Sequence, residues 1–261
     1  MSTEDTLRAL GIVRWRLRAD VESRAPAAEA GTVAPAIPDA APAAEAGTLA
    51  PAIPDAAPAR PGVAMPGGAA PGHGSEADLV RLARQVAACE RCTLAATRTQ
   101  TVFGVGAPGA RWMVIGEAPG AEEDRRGEPF VGRAGQLLNA MFAGIGVLRE
   151  DVYIANILKC RPPNNRDPRP EEVAACRDHL HAQIRLVGPR LLLAVGRIAA
   201  QNLLGTTSAL GRLRGEVHRL PELDLPVVVT YHPAYLLRTP RDKAKAWTDL
   251  RLAAATVQAK R

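Results

Sequence analysis

Four apolar runs of strand length recur from residue 112 onward: Trp112–Ile115, Val152–Ile154, Leu191–Val195 and Val227–Thr230. Helical stretches lie near 136–145, 171–187 and 196–204, with a last one near 241–258. Short continuous apolar runs alternating with helices predict strands buried on both faces, and so an α/β fold with a parallel sheet covered on each side. Right-handed crossovers would place the carboxyl ends of all four strands along one edge. Ahead of the first strand, Ser75-Glu76-Ala77-Asp78 resembles a capping box opening the helical pattern Leu79-Val80-Arg81-Leu82-Ala83. The folded domain is therefore expected to span 75–261.

The residues before it have a different character. Within 1–20, Leu7, Leu10, Ile12, Val13 and Leu17 set against Arg8, Arg14, Arg16 and Arg18 predict an amphipathic terminal helix. Residues 25–40 and 41–56 are near-identical copies of one sequence, differing only at Val33 and Leu49. Such Ala/Pro-rich repeats carry too few large apolar side chains to offset chain entropy, so 21–74 is expected to be a disordered, semi-extended linker. Two copies also fall short of a solenoid, which needs at least three mutually burying units.

Charge adds a preference for polyanions. The formal net charge is +6, and only four of the 33 basic residues are lysine; arginine suits bidentate phosphate contacts. No apolar run approaches the roughly 18 residues of a membrane span, and the N-terminus has no cleavable signal pattern. A cytoplasmic protein with no membrane partner is expected, in a reducing compartment where its four cysteines serve a metal or redox role rather than disulfides.

The chemistry is carried by the residues just past the end of each strand. After the first comes Gly116-Glu117-Ala118-Pro119-Gly120, opening an acid- and glycine-rich loop that runs to Gly135. After the second come Asn156, then Cys160 and the proline-flanked Arg161, Arg166 and Arg169. Gly196 follows the third, and His232-Pro233-Ala234 the fourth. Ligand sites of open sheets form at this edge. Cys89 and Cys92 make one tight pair, with Cys160 and Cys176 far apart in the chain. Spacing alone leaves a four-thiolate zinc site and an iron–sulfur cluster both open.

The runs GEAPGAEEDRRGEPFVGRAGQLLN, NILKCRPPNNRDP and HPAYLLR, with the four cysteines, together resemble the family 4 uracil-DNA glycosylases over about 76–261. The resemblance implies a three-layer α/β/α sandwich with a central four-stranded parallel sheet. It implies a [4Fe–4S] cluster on Cys89, Cys92, Cys160 and Cys176. It also implies hydrolysis of the bond joining uracil to deoxyribose in DNA, after the base is flipped from the stack. A monomer is expected, with uracil-containing DNA as its partner. Any partner of the N-terminal tail is left open.

Carried over residue by residue, the resemblance makes Phe130 the surface on which the base stacks. Asn156 reads the uracil edge, and Gly116 and Ala118 border the base. His232 donates toward uracil O2, while Glu117 handles water or offsets charge on the sugar. Without the resemblance, Asn156 would read as a turn residue and Phe130 as a loop anchor. Glu123 and Asp124 are expected to organise the loop. Arg161, Arg166 and Arg238 are expected at phosphates, with Leu236 or Leu237 as a wedge filling the space the base vacates. The rival readings are a relative that traps the sugar covalently, a non-catalytic DNA-binding protein of the same fold and a zinc hydrolase. The segment between Cys160 and Cys176 holds no histidine, and this disfavours the trapping relative.

Overall fold

The computed structural model describes residues 74–259. The helix expected within 1–20 lies outside them, as does the linker expected over 21–74 apart from Gly74. The first element, α1 (Glu76–Ala87), starts with the capping box. Ser75 Oγ accepts from the Asp78 amide at 3.2 Å, and the Asp78 carboxylate accepts from the Ser75 amide at 3.0 Å. Two of the amide donors left over at the helix start are thereby satisfied.

The four apolar runs are strands: β1 (Trp112–Gly116), β2 (Val152–Asn156), β3 (Leu191–Val195) and, last in the chain, β5 (Leu225–Thr230). A fifth, β4 (Val217–Leu220), joins the edge, giving the sheet order β2-β1-β3-β5-β4. The first four are parallel to their neighbours, whereas β4 runs antiparallel to β5. The four-stranded parallel sheet thus gains one strand. The pattern Val-His-Arg-Leu is too short and polar to declare itself. The four residues between β4 and β5 are enough to turn the chain but too few for a parallel crossover. Its exposed Arg219 suits an edge position.

Helices cover both faces. Met113, Ile115, Tyr153, Leu192 and Val229 face α1, α4 (Pro170–Val187), α5 (Arg197–Leu204) and the short α6 (Leu210–Leu213). The alternate residues Val114, Ile154, Leu193 and Val228 face α3 (Arg133–Gly144) and α8 (Lys243–Ala259). This alternation is the period of two of a pleated strand, with both faces apolar. Among the described residues no helix is long and apolar enough to cross a membrane.

The chain passes from β1 to β2 on one side and then to β3 on the other side of β1. This reversal opens a crevice at the carboxyl ends of the strands. The loop from 116 to 135 is shorter than expected, because Ala121–Arg126 forms the helix α2 and α3 begins at Arg133. Replacing Ser75 by Ala should lower the stability of the domain by about 1 kcal/mol, measured by urea denaturation, because one capping acceptor is lost.

Candidate active site and cysteine cavity

β1 and β2 remain in register to their last residues, where Gly116 is paired with Asn156. The pairing continues into the loops: Ile157 N donates to Gly116 O at 2.9 Å and Leu158 N to Glu117 O at 3.1 Å. Two segments far apart in sequence are thereby fixed side by side. A cleft of about 480 Å³ opens above them, and its walls include Glu117, Ala118, Phe130, Asn156 and His232. Gly116 lies beneath the wall. A Cβ there would stand 2.4 Å from Asn156 Oδ1 and 2.8 Å from the Phe130 ring. Only glycine lets those two side chains come so close.

Phe130 is held in an unusual backbone conformation, φ 56°. A bulky residue does not adopt the left-handed region without support. That support comes from Glu123, whose Oε1 accepts from Val131 N at 3.0 Å and Gly132 N at 3.3 Å. Arg149 donates to Pro129 O at 2.8 Å. Gly135 packs its Cα so closely that a Cβ would fall 1.7 Å from Phe130 O. Asp124 is buried and accepts from Thr99 N at 3.0 Å, tying α2 to the preceding segment. Both acids therefore organise the loop around the Phe130 ring.

His232 caps the short helix α7 (Pro233–Arg238), its Nδ1 accepting from Ala234 N at 3.1 Å. A backbone N–H can only donate, so Nδ1 carries no proton and the neutral ring carries its proton on Nε2. Burial pushes the His232 pKa down to about 4, Arg238 reinforcing this and Glu123 opposing it. The ring stacks on Phe130 with centroids 5.6 Å apart. Glu117 is shifted in the opposite direction. Burial, with a smaller push from Asp167 and a pull from Arg197, raises its pKa to about 7. The same desolvation favours the neutral form of both groups.

The segment carrying His232 is braced by residues to which the sequence assigns no role, of which Tyr235 itself lines the cleft. Arg214 makes two contacts with buried Asp249, at 2.7 and 2.9 Å, and lies 4.3 Å over the Tyr231 ring. Tyr231 stacks on Tyr235, whose hydroxyl donates to Asp242 at 2.5 Å. The aromatic pair flanking His-Pro-Ala was the available signal. The ion pair of Asp167 and Arg197, 2.7 Å long, has no signature in the sequence, since its partners lie thirty residues apart, one in the arginine loop and one at the start of α5.

The expected DNA-contact residues divide. Arg238 and Arg166 line the mouth of the cleft. Arg166, however, forms a paired contact with fully buried Glu172, at 2.5 and 2.9 Å, and so braces its own loop. Arg161 Nε donates to Asn165 Oδ1 at 2.8 Å in the same loop. Leu236 is 0% exposed and belongs to the core, which removes it as a wedge; Leu237 is 37% exposed. On a single turn of helix, neighbouring leucines must point in different directions.

The four cysteines line one small cavity behind this loop, together with Val86, Arg98, Lys159 and His179 among others. Arg98 donates to Cys160 Sγ at 3.2 Å and to the carbonyls of Cys89 and Ala87 at 2.8 and 3.0 Å. Burial raises the pKa of both Cys160 and Cys176. His179 Nε2 is buried with no hydrogen-bond partner. Among the described residues, no group of three or more His, Cys, Asp or Glu side chains is drawn together tightly enough to hold a metal ion.

A mostly parallel sheet with a cleft at its switch point, walled by an aromatic ring, an amide, an acid and a neutral imidazole, matches a known class. The family model of the uracil DNA glycosylase superfamily matches residues 103–251, more than half of the chain. The chain belongs to this superfamily. It is 44% identical over 176 residues to the Type-4 uracil-DNA glycosylase of Archaeoglobus fulgidus, covering 65% of this chain and 88% of that one. It is similarly 41% identical over 179 residues to the Type-4 enzyme of Pyrobaculum aerophilum, covering 66% of this chain and 91% of the relative. With the Type-4 enzyme of Thermotoga maritima it shares 43% identity over 162 residues, 60% of this chain and 82% of the relative.

Gly116→Ala tests the cleft's geometry. Its methyl must displace either Asn156 or the Phe130 ring, so the variant should lose about 1–3 kcal/mol of stability in chemical denaturation. An unchanged midpoint would show that the two side chains do not converge there.

Proposed function

We infer that this chain is a uracil-DNA glycosylase, taking uracil out of the DNA stack and hydrolysing its N-glycosidic bond to leave an abasic site. The observation that carries the reading is the convergence of Glu117, Phe130, Asn156 and His232 on one cleft, in a chain of this superfamily. Phe130 offers a face for the base. The Asn156 amide can donate to uracil O4 and accept from N3–H. Cytosine presents an amino group and a bare N3 at those positions, so the wrong base leaves buried polar groups unpaired.

As the glycosidic bond breaks, its electrons pass to the base and an anion grows on uracil O2. A neutral His232 donating from Nε2 stabilises that charge without first losing a proton. Glu117, once ionised, can draw a proton from the attacking water and offset positive charge on the sugar. A covalent sugar adduct is not part of this reading: His232 Nδ1 is engaged by Ala234 N, and the Cys160–Cys176 segment brings no second histidine.

For the cysteines, the reading is an iron–sulfur cluster held by Cys89, Cys92, Cys160 and Cys176. The four thiols line one small shared cavity, a donor set that a single zinc ion could also use; the iron–sulfur reading rests on the resemblance of these four cysteines to the family 4 set. Cationic side chains and the unpartnered His179 nitrogen on the cavity wall suit an anionic, sulfur-rich group. When bound, such a cluster cross-links the end of α1 to the arginine loop. The hydrolysis involves no change of oxidation state.

Release of uracil from U·G, U·A and single-stranded DNA by the wild-type protein tests the activity, and Asn156→Asp should lower it on all three. The pH profile tests Glu117. Its folded pKa lies above the ordinary carboxylate value of 4.5, so folding favours the protonated form. The corresponding stability is present at low pH and fades as pH rises through about 7. Activity should rise over the same interval, and Glu117→Gln should remove this limb and lower the rate about 100-fold or more. Leu237→Ala should reduce cleavage of duplex substrates more than of single strands; equal losses would dismiss the wedge.

A further inference from the structure

One buried charge has no role in the chemistry above. Lys159 is only 1% exposed. Its Nζ donates to Asn156 O at 2.8 Å, and its side chain lines the cysteine cavity. No carboxylate pairs with it among the described residues, and the four cysteine side chains line the same cavity. An ammonium taken out of water needs a compensating negative charge. Its counter-charge is therefore the thiolate set and whatever that set holds.

The acceptor of its proton is equally specific. The peptide unit after Asn156 is held from both sides: its N–H, on Ile157, donates to Gly116 O at 2.9 Å, and its C=O accepts from Lys159. Lys159 is itself anchored by Val102 N, which donates to Lys159 O at 2.8 Å. This peptide plane sets the direction in which the Asn156 side chain leaves the backbone. A tilt would move the amide away from the base edge by enough to weaken directional hydrogen bonds.

We propose that Lys159 is a positioning residue joining the cysteine site to base selection, its ammonium balancing the thiolates on one side and orienting the Asn156 amide on the other. The inference rests on the glycosylase reading and on an iron–sulfur group at the four cysteines. It assigns that group an electrostatic part in uracil recognition in addition to cross-linking the loop. Outer partners of metal ligands commonly tune a site by about 10- to 100-fold, and a buried cation beside thiolates should have an effect of that size.

The test compares full-length, iron-loaded wild type with Lys159→Met, Lys159→Gln and Lys159→Arg. Binding is measured to DNA carrying a non-hydrolysable 2′-fluoro-deoxyuridine and to the matching cytidine DNA. The rate at which the visible iron–sulfur absorbance bleaches in air is followed separately. Lys159→Met should lose both functions: uracil-over-cytosine selectivity falls about tenfold or more, and bleaching accelerates by a similar factor. Lys159→Gln can still donate to the Asn156 carbonyl but carries no charge. It should recover selectivity relative to Met while still bleaching fast.

Lys159→Arg keeps the charge and serves if the neutral variants do not fold. Its bleaching should stay near wild type, while the displaced donor lowers selectivity. Wild-type selectivity in both Met and Arg variants, or bleaching unchanged in Met and Gln, overturns the proposal. Absence of any uracil preference in the wild-type protein would instead defeat the glycosylase reading on which it rests. A purely structural lysine would lower yield and melting temperature without separating the Met and Gln variants.

Discussion

The parallel pairing of β1 with β2, maintained to Gly116 and Asn156, is the constraint on which the site depends. The pleat alternates side chains between faces, so a slip of one residue would exchange the two helical layers and turn Asn156 away from the cleft. The apolar load on both faces makes such a slip prohibitive. Hydrogen bonds from Ile157 and Leu158 to Gly116 and Glu117 extend the pairing beyond the strands. The loop carrying the acid and the loop carrying the amide therefore move as one unit. Phe130 completes that unit because Gly116 leaves it room.

Exclusion of water then sets the chemistry. Burial holds Glu117 toward its neutral form and His232 firmly in its neutral form. In the proposed reaction, a site assembled in this way would meet the developing uracil anion with a donor that costs no proton transfer. The acid can still be ionised near neutral pH. The fold supports these groups with interactions placed around the cleft: Glu123 under the Phe130 turn, and the Asp249–Arg214–Tyr231 series behind the His232 segment.

The arginine loop shows the same economy of movement. Arg166 is committed to Glu172, Arg161 to Asn165, and Asp167 to Arg197. Asn164 and Asn165 take the left-handed conformations its turn demands, which asparagine tolerates better than most residues. A loop cross-linked in this way presents its remaining donors in fixed places. Cys160 at its start and Cys176 within the α4 helix that follows line one cavity with Cys89 and Cys92. Lys159 lies between that cavity and the end of β2.

Much of this was written in local patterns. Runs of four or five apolar residues identified β1, β2, β3 and β5, the period of 3.6 identified their helices, and the residues after each strand pointed to Glu117, Asn156 and His232. These are properties of neighbouring residues, and neighbouring residues are what backbone geometry constrains directly. Other features depended on segments distant in the chain. β4 exists because β5 offers it an edge, and Leu236 is core whereas Leu237 is exposed because α7 docks in one orientation. Arg166 is tied to its own loop because Glu172 is buried beside it. The buried ammonium of Lys159 became visible only once its neighbours were known. Sequence periodicity determined which elements form and which faces they bury. Which charges lose their water, and which partners they then find, was decided by tertiary packing, because desolvation depends on everything nearby in space and on little nearby in sequence.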